Sequence, residues 1–506
     1  TADGNTAIGY LAMNSTTTGG YNTTLGLCAL HGNTDCSFNV AVGGYALKSN
    51  DASENTALGY IALCDNTTGT NNTAVGRSAL CDNTTGSCNI AIGHQAMDST
   101  TTSSSNIAIG FQALQATNTN GSNLAIGRRA LCLTTSGKCN IGIGDGSLLT
   151  NTTGDQNTAV GYETLELNTT GGANTALGWR TLEKNTTAIC NTGLGKEVLT
   201  NNTTGASNTA VGAGSLSTNT TGASNTAIGL CSLNANTTAS DNTAVGKNSL
   251  LTNTTGANNS ASGVNSLKLN TTGASNTAMG AYALKANTTA DSNTAVGFNS
   301  LCSNTTGGAN TALGAYSLDA NTTGYANVAI GCDAMQTNTT GHSNTAVGEN
   351  SLELNTTGDE NVAIGDGALR ANTTASCNTA VGFSAAKCNT DGAQNTATGY
   401  CALFANTTGS FNTAHGDFAL HDNTTGNLNA SFGGVTLCQN TTGEKNTALG
   451  RTSLRNNTTA SCNTGVGYGA LNANTTGANN TTVGACSMTA NTTGASNVAV
   501  GFQALN

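Results

Sequence analysis

The chain has no proline and contains few charged or aromatic residues. Of its 506 residues, 8% are charged and 4% are aromatic, whereas 65 are glycine. Without proline, every backbone N–H can donate to a neighbouring segment. The net charge of −10 is spread thinly, which argues against a nucleic-acid groove. No stretch approaches about 18 consecutive apolar residues, so no membrane span is predicted.

What the chain does have is one cassette repeated from end to end. Asn recurs every seventeen residues in the pattern N-T-A-[VIL]-G-x-x-[SA]-L-x-x-N-T-T-G-x-x, and we number cassette positions from this Asn. A fixed period over the whole length predicts a solenoid. Because no linker or composition shift interrupts the cassettes, we expect a single continuous domain over residues 1–506, with one short coil near residues 39–54.

Each cassette is too short for a strand and a helix, and it predicts two short strands joined by tight turns. The expected fold is all-β, a parallel β-solenoid or β-roll with about 30 coils of 17 residues. In the cassette that begins at Asn208, the first strand is predicted at 209–212 and the second at 219–221. Alternation along the first strand suggests Val211 and Leu216 as the pair that forms the core.

Stacked coils place like residues above like, so both Asn positions are expected to form ladders along the solenoid. The first-position ladder is interpreted as structural, and its representative residues are Asn208, Asn225, Asn242, Asn259 and Asn276. The twelfth position also creates N-T-T sequons, which are candidate glycosylation sites if the source glycosylates proteins. The alternative is turn chemistry without sugar. The candidates are Asn219, Asn236, Asn253, Asn270, Asn287 and Asn304.

The 17 cysteines fall at turn positions of the cassette. Near pairs suggest disulfides within or between coils, with Cys64 expected to stack on Cys81 one coil away, and the odd count suggests a free or intermolecular thiol. The candidate pairs are Cys28 with Cys36, Cys81 with Cys88, and Cys132 with Cys139. Such cysteine use favours an oxidising, extracellular setting, the alternative being incidental free thiols. The five histidines are scattered, so no metal site and no cofactor are expected.

Most aromatic residues lie at positions 6 and 7, beside one turn. A column of rings at this turn could contact a ligand such as a sugar, or a neighbouring chain. The alternative is that the rings cover the edge of the core. The candidate contact residues are Tyr60, Phe111, Tyr162, Trp179 and Phe298.

The segment from Asn208 to Leu216 resembles the head repeats of YadA-type trimeric autotransporter adhesins, whose A-x-G-x-x-[AS] pattern builds a left-handed parallel β-roll. The cassettes that begin at Asn106 and Asn344 are similar to repeats of virus and phage tail-fibre proteins that end in a chaperone-autoprotease domain. This resemblance covers essentially the whole chain. It implies a left-handed coil, a trimer and a place on a cell surface or virion.

No phosphate-binding loop and no catalytic constellation is found, so we do not expect an enzyme. The leading hypothesis is a structural extracellular fibre or filament shaft that holds or forms an attachment surface. One alternative is a glycan- or ice-binding solenoid that uses aromatic or Thr columns. Another is a self-assembling filament subunit that stacks head to tail. The expected partners are further copies of the chain, with a trimer favoured, and a cell-surface glycan or receptor; no nucleic-acid partner is expected.

Overall fold

The computed structural model describes residues 2–117 and 121–506. It contains two compact units, Thr1–Thr255 and Gly256–Asn506. Each unit is an all-β parallel solenoid with coils of about 17 residues, which confirms the predicted fold class. The prediction of one continuous domain stays a prediction. Among the described residues, we find no helix with the length and apolar character needed to span a bilayer.

Each coil contributes one three-residue strand. The strands of the first unit are β1 (Thr6–Ile8), β2 (Thr23–Leu25), β3 (Val40–Val42), β4 (Thr56–Leu58), β5 (Thr73–Val75), β6 (Ile90–Ile92), β7 (Ile107–Ile109), β8 (Leu124–Ile126), β9 (Ile141–Ile143), β10 (Thr158–Val160), β11 (Thr175–Leu177), β12 (Thr192–Leu194), β13 (Thr209–Val211), β14 (Thr226–Ile228) and β15 (Thr243–Val245).

The second unit has the same organisation. Its strands are β16 (Ser260–Ser262), β17 (Thr277–Met279), β18 (Thr294–Val296), β19 (Thr311–Leu313), β20 (Val328–Ile330), β21 (Thr345–Val347), β22 (Val362–Ile364), β23 (Thr379–Val381), β24 (Thr396–Thr398), β25 (Thr413–His415), β26 (Ala430–Phe432), β27 (Thr447–Leu449), β28 (Thr464–Val466), β29 (Thr481–Val483) and β30 (Val498–Val500).

Within a unit, each strand pairs in parallel with the strand one coil further on. Thr209 lies opposite Thr226, an offset of one cassette, whereas the short coil places Val40 opposite Thr56. The predicted second strand at 219–221 was wrong, because this segment is irregular. It nevertheless bonds to the next coil, where Thr220 N donates to Thr237 O at 2.9 Å. Bonding between coils therefore extends beyond the strands.

The core is narrower than the aliphatic pattern suggested. Ala210 and Leu216 are completely buried, whereas Val211 is partly exposed. Of the predicted core pair, Leu216 is therefore confirmed and Val211 was wrong. Alternation along the strand was predicted correctly, but it does not say which face is inside. A thin coil that already contains Leu216 has room only for a small side chain on the strand, which is Ala in most coils and Gly, Ser or Thr in the others, so the larger aliphatic side chain points outward.

The turns depend on backbone conformations that are unusual for L-residues. Gly212 has a φ of 113°, and a Cβ there would lie 2.7 Å from the carbonyl oxygen of Gly229 in the next coil. This close approach explains the glycine at position 5. Leu216 also adopts a left-handed φ of 49°, which is costly for leucine. The cost is offset by burial and by the bond from Leu216 N to Ser232 O at 3.0 Å.

Candidate functional surface

The twelfth-position asparagines form a buried amide ladder. Asn219 Nδ2 donates to Asn202 Oδ1 of the preceding coil at 2.8 Å and to Gly222 O of its own turn at 2.9 Å. Asn219 Oδ1 accepts from Asn236 Nδ2 at 2.8 Å. Both N–H groups and the oxygen of Asn219 are therefore used, as a buried amide requires. This part of the sequence prediction is confirmed.

The same geometry contradicts the predicted glycans. All six candidate side chains are completely buried: Asn219, Asn236, Asn253, Asn270, Asn287 and Asn304. A glycan would replace an N–H of Asn219 Nδ2 that bonds within the ladder, and the interior has no space for a sugar. The folded coil is therefore incompatible with sugars on this position, and the sequons reflect turn and ladder chemistry.

The first-position asparagines form a second ladder of a different type. Asn208 Oδ1 accepts from the backbone N of Asn225 at 3.0 Å, and Asn208 Nδ2 donates to Gly222 O at 2.9 Å. The Asn208 side chain thus links the beginning of its own coil to the turn near its end, and it also accepts a hydrogen bond from the next coil. The backbone N–H groups of Asn242 and Asn276 are bonded in the same way by the preceding Asn225 and Asn259. The structural interpretation of these residues is confirmed.

The twelfth-position ladder is interrupted in three consecutive coils. The coils of β6, β7 and β8 carry Thr100, Thr117 and Thr134 at this position, and all three are completely buried. Their hydroxyl groups have no hydrogen-bond partner among the described residues, nor does Oδ1 of Asn83. Unpaired buried polar groups destabilise a fold. This region is therefore expected to be less stable than the coils with an intact ladder.

The candidate aromatic residues contact rings in neighbouring coils. Tyr162 stacks on Trp179 with centroids 6.4 Å apart and planes 11° apart, and the Trp179 ring also lies 5.0 Å from Lys196 Nζ. A sugar that stacks on a ring needs a free ring face, so these contacts favour the interpretation that the rings cover the coil edge. A ligand or interchain role stays a prediction. The other ring contacts are Tyr60 with Tyr45, Phe111 with His94, and Phe298 with Tyr282 and Tyr316.

A cluster of charged residues lies on the same turns. Arg180 forms ion pairs with Glu163 at 3.2 Å and with Glu183 at 2.8 Å. Burial, together with the neighbouring Glu163, raises the pKa of Glu166. The carboxylates of Glu163, Glu166 and Glu183 are close enough to hold a cation, and Arg180 already supplies a positive charge among them. We interpret this cluster as an ion-pair network between coils.

All 17 cysteines are free in this structure, and the disulfides suggested by the sequence stay a prediction. The pairs Cys28 with Cys36, Cys81 with Cys88, and Cys132 with Cys139 are not bonded. The two thiols that the fold brings into contact, those of Cys64 and Cys81, occupy equivalent positions in adjacent coils. The thiols of Cys64 and Cys81 are hydrogen-bonded, and this contact raises the pKa of Cys81.

A separate thiol lies in the short-coil region. Cys36 Sγ is 3.5 Å from Asp35 Oδ1 and 3.9 Å from Asp51 Oδ1. Burial and the Asp35 carboxylate raise the pKa of Cys36 to about 11. The two carboxylates and the thiol are close enough together to hold a cation, an arrangement that the sequence did not suggest because the residues belong to different coils.

The outward face of the sheet is free of charge in both units. The first and third residues of each strand point outward, and none of the strands in residues 2–117 and 121–506 contains Asp, Glu, Lys or Arg. In most strands the first residue is Thr and the third is aliphatic, as in Thr209 and Val211. Sequence analysis missed this surface because it placed the aliphatic residue inside. The alternation of Thr and aliphatic residues without any charged residue was the signal in the sequence that could have revealed this surface.

No protein-family model matches the chain, and no curated protein sequence matches it significantly.

Proposed function

We propose that the chain is a structural segment of an extracellular fibre or filament, either a shaft or an attachment surface, as in a tail fibre or adhesin. The observation that carries this proposal is the repeated bonding between coils. In the region from β13 to β15, both asparagine ladders and the strand pairing join each coil to the next. Such a segment repeats one bonding pattern and needs no reacting groups.

The resemblance to tail-fibre and YadA-type repeats supports the same proposal. A scaffold function also accounts for the variation of the turns, since substitutions at positions 6, 7, 10 and 11 leave the ladders unchanged. Assembly with further copies of the chain, a trimer included, belongs to this proposal. So do attachment to a cell-surface glycan or receptor and a location on a cell surface or virion.

Immunogold electron microscopy tests the proposal. Antibodies raised against the purified chain should label fibres or surface projections of the intact source particle or cell. The same antibodies absorbed with purified protein provide the control. Labelling confined to the interior of cells would contradict an extracellular fibre.

A second candidate function is ice binding, and one observation favours it. Strands β10 to β15 all begin with Thr and all end with Val, Leu or Ile, which gives a regular, uncharged array of hydroxyl and methyl groups. Charged side chains hold their own water, so an uncharged periodic face is suited to an ordered water layer. The column at position 14, represented by Thr221, is also exposed, whereas Thr220 Oγ1 donates to Thr237 O at 3.0 Å.

Thermal hysteresis measurements distinguish this candidate from a purely structural segment. If the sheet face binds ice, Thr209→Lys should lower the hysteresis, and Thr221→Lys should leave it unchanged. No hysteresis in the wild-type protein would remove the candidate. Glycan binding is tested by a glycan array, and head-to-tail filament growth by elongation that depends on protein concentration.

A further inference from the structure

Four consecutive strands carry an aliphatic patch that the neighbouring strands lack. In β6 to β9, both outward residues of every strand are Ile or Leu, whereas β5 and β10 begin with Thr. We call this surface the aliphatic patch. Its residues are Ile90, Ile92, Ile107, Ile109, Leu124, Ile126, Ile141 and Ile143. Half of them are at least 36% exposed, namely Ile90, Ile92, Ile107 and Ile141.

Polar groups lie on the turns beside this patch. Arg128 and Asp145, at the turns after β8 and β9, form an ion pair at 3.1 Å. The equivalent turn after β6 carries His94. An apolar centre with a polar rim is the usual organisation of a protein interface. An exposed apolar surface of this kind is a candidate interaction site.

We propose that the aliphatic patch binds the same patch on a second copy of the chain. The two sheets pack face to face around a twofold axis, so that the solenoids cross instead of running side by side. Sheets that pack in this way cross at about 30° and lie about 10 Å apart. A twofold axis makes the contact self-complementary, since one surface serves both copies.

The length of the patch supports a crossing contact. A three-residue strand makes a strip roughly 10 Å wide, at about 3.3 Å per residue. Two such strips that cross at about 30° overlap over roughly 20 Å of each strip, which is about four strands at a spacing of about 4.8 Å. The patch comprises four strands, β6 to β9. Two solenoids that packed side by side, with parallel axes, would instead need aliphatic residues at the first strand position along the whole unit. Thr predominates at this position.

Charge favours this face for self-association. The chain has a net charge of −10, and its charged residues lie outside the strands, so two copies repel each other least through the sheet. Eight partly exposed side chains that bury about 50 Å² each remove roughly 400 Å² per copy from water. The total of roughly 800 Å² is below the about 1,200–2,000 Å² of standard specific interfaces and fits a weak, transient contact. The dimer should therefore be weak and depend on protein concentration.

Sedimentation velocity over a range of concentrations tests the proposal. The variant I90T/I107T/L124T/I141T replaces the first residue of each patch strand by Thr, the residue that the chain itself uses at this position in most strands. We expect it to keep its circular dichroism spectrum and to dimerise at least tenfold more weakly. The matched control V328T/V362T, in β20 and β22 of the second unit, should dimerise like the wild type. Equal dimerisation of the patch variant and the wild type would overturn the proposal, as would a wild-type protein that stays monomeric up to high concentration.

A photo-crosslinking experiment tests the symmetry. Benzoylphenylalanine placed at Ile107 should crosslink two copies, and the captured peptide should come from β6 to β9 of the second copy. The same group placed at Val362 should give no dimer crosslink. Capture of peptides from any other strands would show that the contact is not self-complementary and would overturn the proposal.

Discussion

The coils of β6 to β8 and those of β13 to β15 share a strand, a core of Leu or Met and backbone bonding, yet differ at the twelfth position. Leu114 and Leu216 are both completely buried, and both donate their backbone N–H to the next coil. Thr117 stands where the other region has Asn219. The coil therefore forms without the twelfth-position ladder, although the first-position ladder continues through it. The difference indicates that backbone bonding, the first-position ladder and the small core suffice for the fold, and we expect the twelfth-position ladder to add stability.

The largest expected effect comes from converting an intact coil to the interrupted type. Asn219→Thr removes two donated hydrogen bonds and deprives Asn236 Nδ2 of one of its two acceptors, the other being Ala239 O. We expect the free energy of local opening to fall by about 3 kcal/mol, because buried polar groups lose their partners. Hydrogen exchange of peptides that cover 208–236 measures it. Thr221→Ala, at an exposed position, is the control and should change little.

The second prediction concerns the core, which the two regions have in common. Ala210→Val adds two methyl groups to an interior where Ala210 is completely buried. Overpacking should lower the free energy of unfolding by about 2 kcal/mol. Val211→Ala, on the outward face, should cost under about 1 kcal/mol. Urea unfolding followed by circular dichroism compares them, and a larger loss for Val211→Ala would mean that the faces were assigned in reverse.

Repair of the interrupted ladder should have a smaller and opposite effect. Thr100→Asn would place an amide beside Asn83 Oδ1, which lacks a partner, and should stabilise the coil by about 1 kcal/mol. Thr100→Val removes the unpaired hydroxyl without adding a donor, so it should stabilise less. Resistance of this segment to proteolysis gives the ranking. Equal gains from Asn and Val would indicate that the ladder bond itself contributes nothing.

The smallest effect concerns Cys36, in a turn outside both regions, where no ladder bond is involved. Its pKa is raised to about 11 by burial and by Asp35. At pH 8 the thiol is therefore almost entirely protonated, and only the thiolate reacts with iodoacetamide. The alkylation rate should rise about tenfold per pH unit until pH approaches 11. Asp35→Asn should make the reaction faster at pH 8, and a rate that levels off near pH 9 would contradict the prediction.

Much of the fold could be predicted from the period alone. The seventeen-residue Asn implied stacked coils, and stacking implied ladders, which Asn208 and Asn219 confirm. The orientation of the strand could not be predicted, because alternation is compatible with either Ala210 or Val211 inside. The width of the interior decides this, and width depends on how the turns close.

The errors at the candidate sites have the same origin. Asn219 has the residues of a glycosylation site, but its burial depends on the path of the coil. Cys81 was considered with Cys88 along the sequence and with Cys64 in the adjacent coil, and the fold places it against Cys64. Stacking controls these contacts, and a local motif does not report it. A comparison of equivalent positions in successive cassettes, as for Cys64 and Cys81, is therefore the better guide.

Amide hydrogen exchange on the wild-type chain tests the central claim, that the ladder stabilises coils which otherwise bond alike. The backbone N–H groups of Asn219 and Thr100 make equivalent turn bonds, to Leu216 O at 3.2 Å and to Met97 O at 3.1 Å. Only Asn219 also belongs to the ladder. We predict that the Thr100 amide exchanges at least about tenfold faster, which corresponds to roughly 1.4 kcal/mol. Equal protection of the two amides would contradict the account.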